Sequence, residues 1–246
     1  MAISQRSAIG RSFDVYYRDR SRTRRMDKLN AQFVTDQSLC FDIGAHVGDR
    51  TGSFARLGAR VVALEPQPQV FRALRLLYGQ CEAITLVHSA ASSETGSVQL
   101  HINSDNPTVS TASNALIDAA QSDKRWQGQI WDATIDVPMT TLDALIAQFG
   151  VPDFAKIDVE GFELAVLQGL SQPVPALSFE FTTIQGSLAN DCVDYLDAFA
   201  PYRFNFSLGE EHTLALADWT NAAGIKSALK KLPTSANSGD IYAARR

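Results

Sequence analysis

Short apolar runs alternate along this chain with segments of helical periodicity. The runs end at glycine, proline or a polar residue, which is typical of buried strands. Five of them stand out, at residues 39–43, 60–64, 84–87, 154–159 and 176–181. Apolar residues at helical spacing lie between or after them. This alternation predicts an α/β fold, with a doubly wound, mostly parallel sheet covered by helices on both faces.

Three segments depart from simple alternation. Residues 1–35 precede the first run and predict a basic N-terminal helical extension. Residues 103–133 are too long for a plain loop and predict an insertion or lid. Residues 202–246 predict terminal strands around an amphipathic helix. With 246 residues of ordinary globular composition, we expect a single domain, 1–246, that carries these additions.

The same composition bears on location and partners. No apolar run approaches the roughly 18 residues that a membrane helix needs, and no apolar core follows the N-terminus as in a secretory signal. Cys40, Cys81 and Cys192 form neither a CxxC pair nor a Cys/His cluster, which fits a reducing compartment. We therefore expect a cytoplasmic protein without a membrane partner. The net charge of −5 disfavours a nucleic-acid partner.

The charge is unevenly distributed. Residues 1–30 hold eight Lys or Arg against three Asp, a net charge of +5, whereas the rest of the chain carries −10. In one interpretation this basic segment closes over a bound cofactor and binds an anionic substrate, which Tyr17 and Arg18 contact. In another it is a solvated helix face that neutralises the acidic body or a partner subunit, which would suit a homodimer. RNA binding is a third reading, disfavoured because aromatic residues do not interleave with the arginines.

A glycine-rich turn follows the first predicted strand. Gly44, Gly48 and Gly52 lie in the sequence FDIGAHVGDRTG. Such a turn lets the backbone approach a ligand, and the helix that follows offers free N–H groups. Glu65 ends the second predicted strand, where an acid can accept hydrogen bonds from both hydroxyls of a ribose. Together these features predict a site for a nucleoside-containing cofactor.

Two residues narrow the choice of nucleoside. Dinucleotide-binding turns have the pattern GxGxxG, but His46 stands where the middle glycine would make room for a pyrophosphate. Asp42 would repel a pyrophosphate and suits a cationic amine, such as a methionine-type tail with ammonium and sulfonium groups. A nicotinamide-dependent oxidoreductase stays as the alternative, and so does a non-catalytic nucleoside-binding module.

The sequence KIDVEGFE, residues 156–163, concentrates charge at the end of a predicted central strand. In an extended strand Lys156, Asp158 and Glu160 share one face. Glu163 would turn back toward the site on a following helix. Buried charges are costly unless they are paired or used. These charged residues indicate an ion-pair network, a general base, or a divalent metal that they hold together with Asp42. Our prediction is a site without a metal.

The stretches FDIGAHVGDR, VVALEPQP, SAAS, TTLDAL and FAKIDVEGFELAVLQGL resemble the FkbM-type S-adenosylmethionine-dependent methyltransferases over residues 41–181. That resemblance implies a Rossmann-like class I methyltransferase fold, with seven strands and an antiparallel edge hairpin. It also implies S-adenosyl-L-methionine as cofactor and O-methylation of a small-molecule acceptor such as a sugar or polyketide-like hydroxyl. This chain departs from the family pattern at His46, where the family usually has Asn.

The resemblance and the residues together give three sets of candidates. The predicted cofactor-binding residues are Asp42, Gly44, Ala45, Gly48, Glu65, Pro66, Gln67, Ser89, Ala90 and Asp158. The predicted catalytic residues are Asp158, Glu160, Lys156 and His46, with Asp158 and Glu160 ranked first as general base. The predicted substrate-binding residues are Tyr17, Arg18 and Glu163.

Overall fold

Ten strands and nine α-helices follow one another along residues 2–245, the part of the chain that the computed structural model describes. The strands are β1 (Leu39–Ile43), β2 (Arg60–Leu64), β3 (Ile84–Val87), β4 (Ala90–Ala91), β5 (Gly96–Ile102), β6 (Ala133–Thr140), β7 (Phe154–Ile157), β8 (Ala176–Thr182), β9 (Tyr202–Leu208) and β10 (Ser238–Arg245). The helices are α1 (Ala2–Tyr17), α2 (Arg20–Asn30), α3 (Asp49–Arg56), α4 (Pro68–Tyr78), α5 (Asn114–Ser122), α6 (Leu142–Phe149), α7 (Glu163–Gln168), α8 (Gly186–Phe199) and α9 (Ala222–Lys230). Met1, Arg246 and the side chains of residues 2–7 and Thr234 lie outside the described residues, and so does the Arg6 side chain of the basic segment.

The central sheet has seven strands in the order β3–β2–β1–β7–β8–β10–β9. Neighbouring strands from β3 to β8 are parallel, whereas β10 is antiparallel to both β8 and β9. The carboxyl ends of the parallel strands therefore meet at one edge. The expected α/β fold, mostly parallel with an antiparallel pair at one side, is confirmed.

Helices cover both faces of this sheet, and β1 shows why its sequence is apolar throughout. Phe41 and Ile43 belong to a core shared with α6, α7, α8 and α9. Cys40, which precedes Phe41 and points to the opposite face, belongs to a second core shared with α2, α3 and α4. All five residues of β1 are buried because the strand is covered on both sides.

A smaller sheet lies beside the central one. Strands β5 and β6 are antiparallel, and β4 joins β6 in parallel. Residues 103–132 connect β5 to β6 and carry a short helix, α5, between two short 3₁₀ turns at 107–109 and 124–126. The segment that departed from simple alternation in the sequence is thus the connection between two paired strands.

Strand β7 is shorter than expected. It ends at Ile157, two residues before the end of the predicted run, although the Asp158 N–H still donates to the Ile43 carbonyl over 2.8 Å. Glu160 has φ of 53° and Gly161 of 89°, so the chain turns sharply here before α7. The prediction that Lys156, Asp158 and Glu160 share one face of a strand is therefore wrong. Asp158 and Glu160 project from a turn, whose apolar Val159 made it look like strand.

No helix within residues 2–245 is both long enough and apolar enough to span a membrane.

Gly44 directly follows β1, and its backbone conformation is unfavourable for any other residue. Its φ is 86°, and a Cβ there would lie 1.7 Å from the Asp158 carbonyl oxygen. The turn after β1 thus presses against the turn after β7, so Gly44 also serves the packing of two chain turns. Gly128 has a similar φ of 91°, but a Cβ there would meet nothing within 4 Å.

This pair of glycines separates backbone strain from steric overlap. We expect Gly128→Ala to lower the free energy of unfolding by about 1–2 kcal/mol, the cost of a left-handed alanine. Gly44→Ala adds a clash with backbone that has nowhere to move, so its loss should reach about 4 kcal/mol or more. Urea denaturation of the two variants and the wild type measures both values. Equal losses in the two variants would contradict the close packing of Gly44 against Asp158.

Candidate active site

A cavity of about 350 Å³ opens at the carboxyl ends of β1, β2, β7 and β8. This is the edge at which open α/β sheets bind their ligands. Three other parts of the chain complete its walls: Tyr16 at the end of α1, residues of the 103–133 segment including Trp126, and Ser238 at the start of β10. The cavity is therefore enclosed by elements that are far apart in sequence.

Most of the predicted site residues line this cavity. They are Asp42, Gly44, Ala45, His46, Glu65, Pro66, Gln67, Ser89, Ala90, Lys156, Asp158 and Glu160. Gly48, Tyr17, Arg18 and Glu163 are not among the lining residues. Gly48 instead faces α4, where a Cβ would lie 2.5 Å from Leu74 Cδ1, so this glycine serves helix packing.

Glu65 lies at the end of β2 with its carboxylate fixed from both sides. The backbone N–H of His46 donates to Oε2 over 2.9 Å, and that of Gln67 donates to Oε1 over 2.8 Å. Burial raises the pKa of this carboxyl to about 7, despite the two backbone hydrogen bonds, which lower it. A rigid, buried carboxylate with spare lone pairs can accept hydrogen bonds from a ligand's hydroxyl groups.

Asp42 lies beneath the turn after β1 and is 1% exposed. Its Oδ2 accepts a hydrogen bond from the Thr51 hydroxyl at the first turn of α3. Burial raises the pKa of Asp42 to about 6. A ligand cation next to this carboxyl would favour its ionised form.

His46 packs under the N-terminal helix. Its Nε2 lies 3.0 Å from the Ser12 Oγ, and its ring meets the Tyr16 ring edge-on at 5.9 Å between centroids. Burial lowers the pKa of His46 to about 4, so the ring is neutral at pH 7. Such a weak base takes a proton poorly at neutral pH, so these contacts favour a packing role for His46 over a role as general base.

Lys156 is buried on β7 and joins two carboxylates. Its Nζ lies 2.6 Å from Asp240 Oδ1 on β10 and 3.0 Å from Asp158 Oδ2. Burial alone would lower the pKa of Lys156, but Asp158 and Asp240 outweigh it and raise the pKa. Lys156 therefore stays charged and holds the Asp158 carboxylate in place. The geometry fits the ion-pair reading of this lysine, with Asp158 left a side-chain exposure of 32% for contact with a ligand.

Asp158, Glu160 and Glu180 form a carboxylate cluster in the cavity. One oxygen from each lies within 4.8 Å of the others. Burial raises the pKa of both glutamates well above its usual range, and the neighbouring carboxylates add to this rise. Glu160 and Glu180 are therefore harder to ionise than ordinary carboxyl groups, which favours Asp158 over Glu160 as the general base.

Glu163 has a different role from the substrate contact that its sequence position suggested. It is 2% exposed, and its Oε1 accepts hydrogen bonds from the backbone N–H groups of Val159 and Gly161 over 3.1 and 3.2 Å. The side chain turns back as expected, but onto the turn itself. Glu163 therefore fixes the backbone from which Asp158 and Glu160 project.

One arginine of the basic N-terminal segment is buried against acidic residues of the body. Arg22 is 4% exposed and donates to Asp49 Oδ2 over 2.7 Å and through Nε to Glu210 Oε2 over 2.9 Å. Arg18 lies directly after α1, is highly exposed and pairs with Asp14 of that helix. The Tyr17 hydroxyl donates to the Val47 carbonyl over 2.8 Å.

These contacts correct the assignment of Tyr17 and Arg18 to the substrate. Neither residue lines the cavity: the helical phase of α1 turns Tyr16 rather than Tyr17 toward it, and Arg18 lies beyond the helix. Arg22 lies 5.1 Å from the centre of the Tyr16 ring and supports that residue from behind. Arg22 neutralises acidic residues of the body as the second interpretation had it, and it is buried, whereas most other basic side chains of the segment are exposed.

Sequence reasoning missed several residues of the cavity wall. They are Tyr16, Asn106, Thr108, Glu180, Thr182 and Glu210. One signal was available for Glu180, which is a lone acid between Phe179 and Phe181 in a run that otherwise reads as core. The others come from loops, from the end of α1 and from the end of β8, whose places depend on contacts between distant segments.

Solved structures with a similar arrangement include several methyltransferases. A TehB-like SAM-dependent methyltransferase from Corynebacterium glutamicum is 10% identical with a TM-score of 0.49, over 100% of this chain and 99% of that one. Precorrin-6y C5,15-methyltransferase from Geobacter metallireducens is 14% identical with a TM-score of 0.46, over 90% of this chain and 86% of that one. An O-methyltransferase from Bacillus cereus, solved in complex with SAH, is 13% identical with a TM-score of 0.46, over 98% of this chain and 91% of that one. At these values the likenesses carry no argument about activity.

Sequence comparison gives the family directly. No protein with curated annotation matches the chain significantly. A family model described as the methyltransferase FkbM domain matches residues 42–207, which span the turn after β1, the 103–133 segment, the carboxylate cluster and most of β9. Since this match covers more than half of the chain, the protein belongs to the FkbM family of S-adenosylmethionine-dependent methyltransferases.

Proposed function

We propose that the protein transfers the methyl group of S-adenosyl-L-methionine to a hydroxyl oxygen of a small molecule, such as a sugar or a polyketide-like metabolite. The observation that carries this proposal is the meeting of three acidic features in one cavity. These are Asp42 at the end of β1, Glu65 at the end of β2 and the carboxylate cluster after β7. Membership of the family gives methyl transfer, and the arrangement of acids supports the finer proposal.

The cavity suits the cofactor in size and charge. Its volume of about 350 Å³ lies in the usual range for small-molecule sites. The acidic residues that line it are Asp42, Asp49, Glu65, Asp158, Glu160, Glu180 and Glu210, against Arg50, Arg125 and Lys156 as basic residues. Such an excess of carboxylates favours a ligand with cationic groups.

Individual side chains fit individual groups of the cofactor. The fixed carboxylate of Glu65 would accept hydrogen bonds from the ribose hydroxyls, and Asp42 would face the ammonium group. Pro66, Gln67, Ser89 and Ala90 would border the adenine. When bound, the cofactor supplies a methyl group activated by a sulfonium sulfur.

Asp158 is our candidate for the general base. Lys156 fixes its carboxylate at 3.0 Å while about a third of the side chain stays accessible. In this role it takes the proton of the acceptor hydroxyl as that oxygen becomes a nucleophile. The chain also aligns the acceptor, and alignment can supply up to about 7–11 kcal/mol in favourable cases.

The 103–133 segment is our candidate for acceptor recognition. Trp126 and Gln129 line the cavity from this segment, together with Arg125. Trp131 instead donates from its indole nitrogen to the Val109 carbonyl over 2.9 Å and so holds the segment together. An aromatic face beside amide and guanidinium donors suits a polar, hydroxylated acceptor.

Ligand-dependent melting tests the cofactor. S-adenosylhomocysteine at about 100 times its Kd should stabilise the protein by ~2.7 kcal/mol, which raises Tm by several degrees. NAD serves as the control and should leave Tm unchanged, because His46 and Asp42 disfavour a pyrophosphate. Stabilisation by NAD alone would favour the oxidoreductase reading, and no shift at millimolar S-adenosylhomocysteine would refute the proposed cofactor.

The raised pKa of Asp42 gives this binding a pH dependence. Asp42 takes up a proton as pH falls through about 6 and then loses its attraction for an ammonium group. Calorimetric affinity for S-adenosylhomocysteine should therefore weaken between pH 7.5 and pH 5. Asp42→Asn should weaken binding at pH 7.5 by about tenfold, equivalent to one charge-assisted hydrogen bond.

The Asp42→Asn variant should also show a smaller change of affinity with pH, the remainder coming from Glu65. Asp118→Asn, at an exposed position on α5, is the matched control and should bind as the wild type does. An Asp42→Asn variant with wild-type affinity and wild-type pH dependence would exclude Asp42 from the cofactor site.

Transfer of radiolabelled methyl groups tests the reaction itself. The protein is incubated with labelled S-adenosyl-L-methionine and a panel of hydroxylated small molecules, and we expect label in an ether product. Asp158→Asn should lower kcat by about 10²–10⁴, as expected for loss of a general base, while binding of S-adenosylhomocysteine is retained. A variant that transfers label at the wild-type rate would rule out Asp158 as the base, and label on carbon or nitrogen would overturn O-methylation.

A further inference from the structure

We propose that Asp158, Glu160 and Glu180, together with the hydroxyl of Thr182, form a binding site for one divalent cation. The four residues come from two neighbouring elements. Asp158 and Glu160 project from the turn after β7, and Glu180 and Thr182 lie near the end of β8, which pairs with β7. Because Glu180 and Thr182 are two residues apart in a strand, they point to the same face.

The spacing of the carboxylates fits one ion. One oxygen from each of the three lies within 4.8 Å of the others. Calcium–oxygen distances of 2.3–2.6 Å allow two ligands on opposite sides of an ion to lie about 5 Å apart, and the shorter magnesium distances allow about 4 Å. The cluster therefore needs little rearrangement to place all three oxygens around a single cation.

The cluster also lacks a counter-charge among the described residues. Lys156 pairs with Asp158 and Asp240, and no Lys, Arg or His whose side chain the structure describes forms an ion pair with Glu160 or Glu180. Carboxylates this close to each other repel when both are ionised. A cation between them would remove that repulsion.

Orphaned oxygen atoms point independently to a ligand at this place. Thr182 is 7% exposed and lines the cavity, yet its Oγ1 has no hydrogen-bond partner. Glu180 Oε2 is likewise buried without a partner. Buried polar atoms are nearly always bonded, so such a pair calls for a group that the protein does not itself supply. Hard oxygen donors of this kind suit magnesium, manganese or calcium.

Glu160, one of the three carboxylates of the cluster, has an unfavourable backbone conformation. Its φ of 53° is unfavourable for a residue with a side chain. The Thr111 hydroxyl donates to the Glu160 carbonyl over 2.5 Å, which ties this turn to the 103–133 segment. The conformation is thus supported from outside the turn.

This ligand set differs from the one that the sequence allowed. Asp42 lies outside the three-carboxylate group, and its carboxylate is bonded to the Thr51 hydroxyl. Glu180 takes the place that Asp42 had in the sequence-based alternative. The prediction of a site without a metal is therefore replaced here by a proposal for a metal.

The role of the cation in catalysis rests on the proposed function. If that function holds, the cation would lie beside Asp158, the candidate base. A bound cation lowers the pKa of a hydroxyl that coordinates it. The site would then favour acceptors that offer a hydroxyl, or two adjacent hydroxyls, to a hard metal ion.

Titration of the metal-free full chain with Mn²⁺ tests the site without any need for an acceptor. After treatment with EDTA and its removal, electron paramagnetic resonance of free Mn²⁺ at pH 7.5 should show one ion bound per chain. Glu180→Gln and Thr182→Val should each weaken binding, the first by about tenfold or more. Glu82→Gln, at an exposed position, is the matched control and should bind as the wild type does.

Melting curves show whether the variants remain folded. In EDTA, Glu180→Gln should melt no lower than the wild type, because it removes one of three mutually repelling carboxylates. At the same concentration, Mn²⁺ should raise Tm of the wild type by more than that of Glu180→Gln. Absence of stoichiometric Mn²⁺ binding, or wild-type affinity in a folded Glu180→Gln variant, would overturn the proposal.

Parallel melting with S-adenosylhomocysteine keeps the two proposals apart. A protein that is stabilised by S-adenosylhomocysteine but binds no Mn²⁺ would overturn the metal site alone. A protein that binds Mn²⁺ at Glu180 but is not stabilised by S-adenosylhomocysteine would support the metal site and refute the proposed cofactor.

Discussion

A lysine buried in the middle of a sheet requires partners, and Lys156 meets this requirement in a way that organises the site. Moving its charge out of water costs several kcal/mol, which only well-placed carboxylates can offset. Asp240 on β10 and Asp158 after β7 supply them. The pair with Asp240 links β7 to β10 across the intervening strand β8, and the pair with Asp158 fixes a candidate base. A chain of further ion pairs then runs from Glu210 and Asp49 through Arg50 and Arg22 to the N-terminal helices.

Local sequence signals were sufficient for the parts of the protein that depend on neighbours in the chain. Apolar runs on β1 and β2, the glycine after β1 and the acid after β2 are each readable over a few residues, and they place the predicted cofactor residues around one cavity. Gly44 was correctly predicted to lie in the ligand-binding turn, but it is needed there for a second reason, because its backbone packs against Asp158.

The parts that sequence reasoning missed depend on distance or on helical phase. Tyr16 rather than Tyr17 lines the cavity because one residue along a helix turns the side chain by about 100°. Glu180 belongs to the cluster because β8 pairs with β7, and no local sequence pattern specifies that pairing. Arg22 looked like part of a solvated basic face but is buried against acids from α3 and from the segment after β9. In each case the deciding contact joins segments that are far apart in sequence.

Strand β10 lies between β8 and β9 although it follows both in the sequence. During synthesis β8 and β9 therefore emerge before β10, the strand that separates them. Until β10 emerges, one edge of β8 is unpaired. Lys156 lacks Asp240 for the same period, and the cavity lacks Ser238. The finished site thus requires β10, which supplies hydrogen bonds to both neighbouring strands together with a counter-ion for the buried lysine. A nascent chain that stops short of residue 238 would carry the whole family motif and still have no finished site.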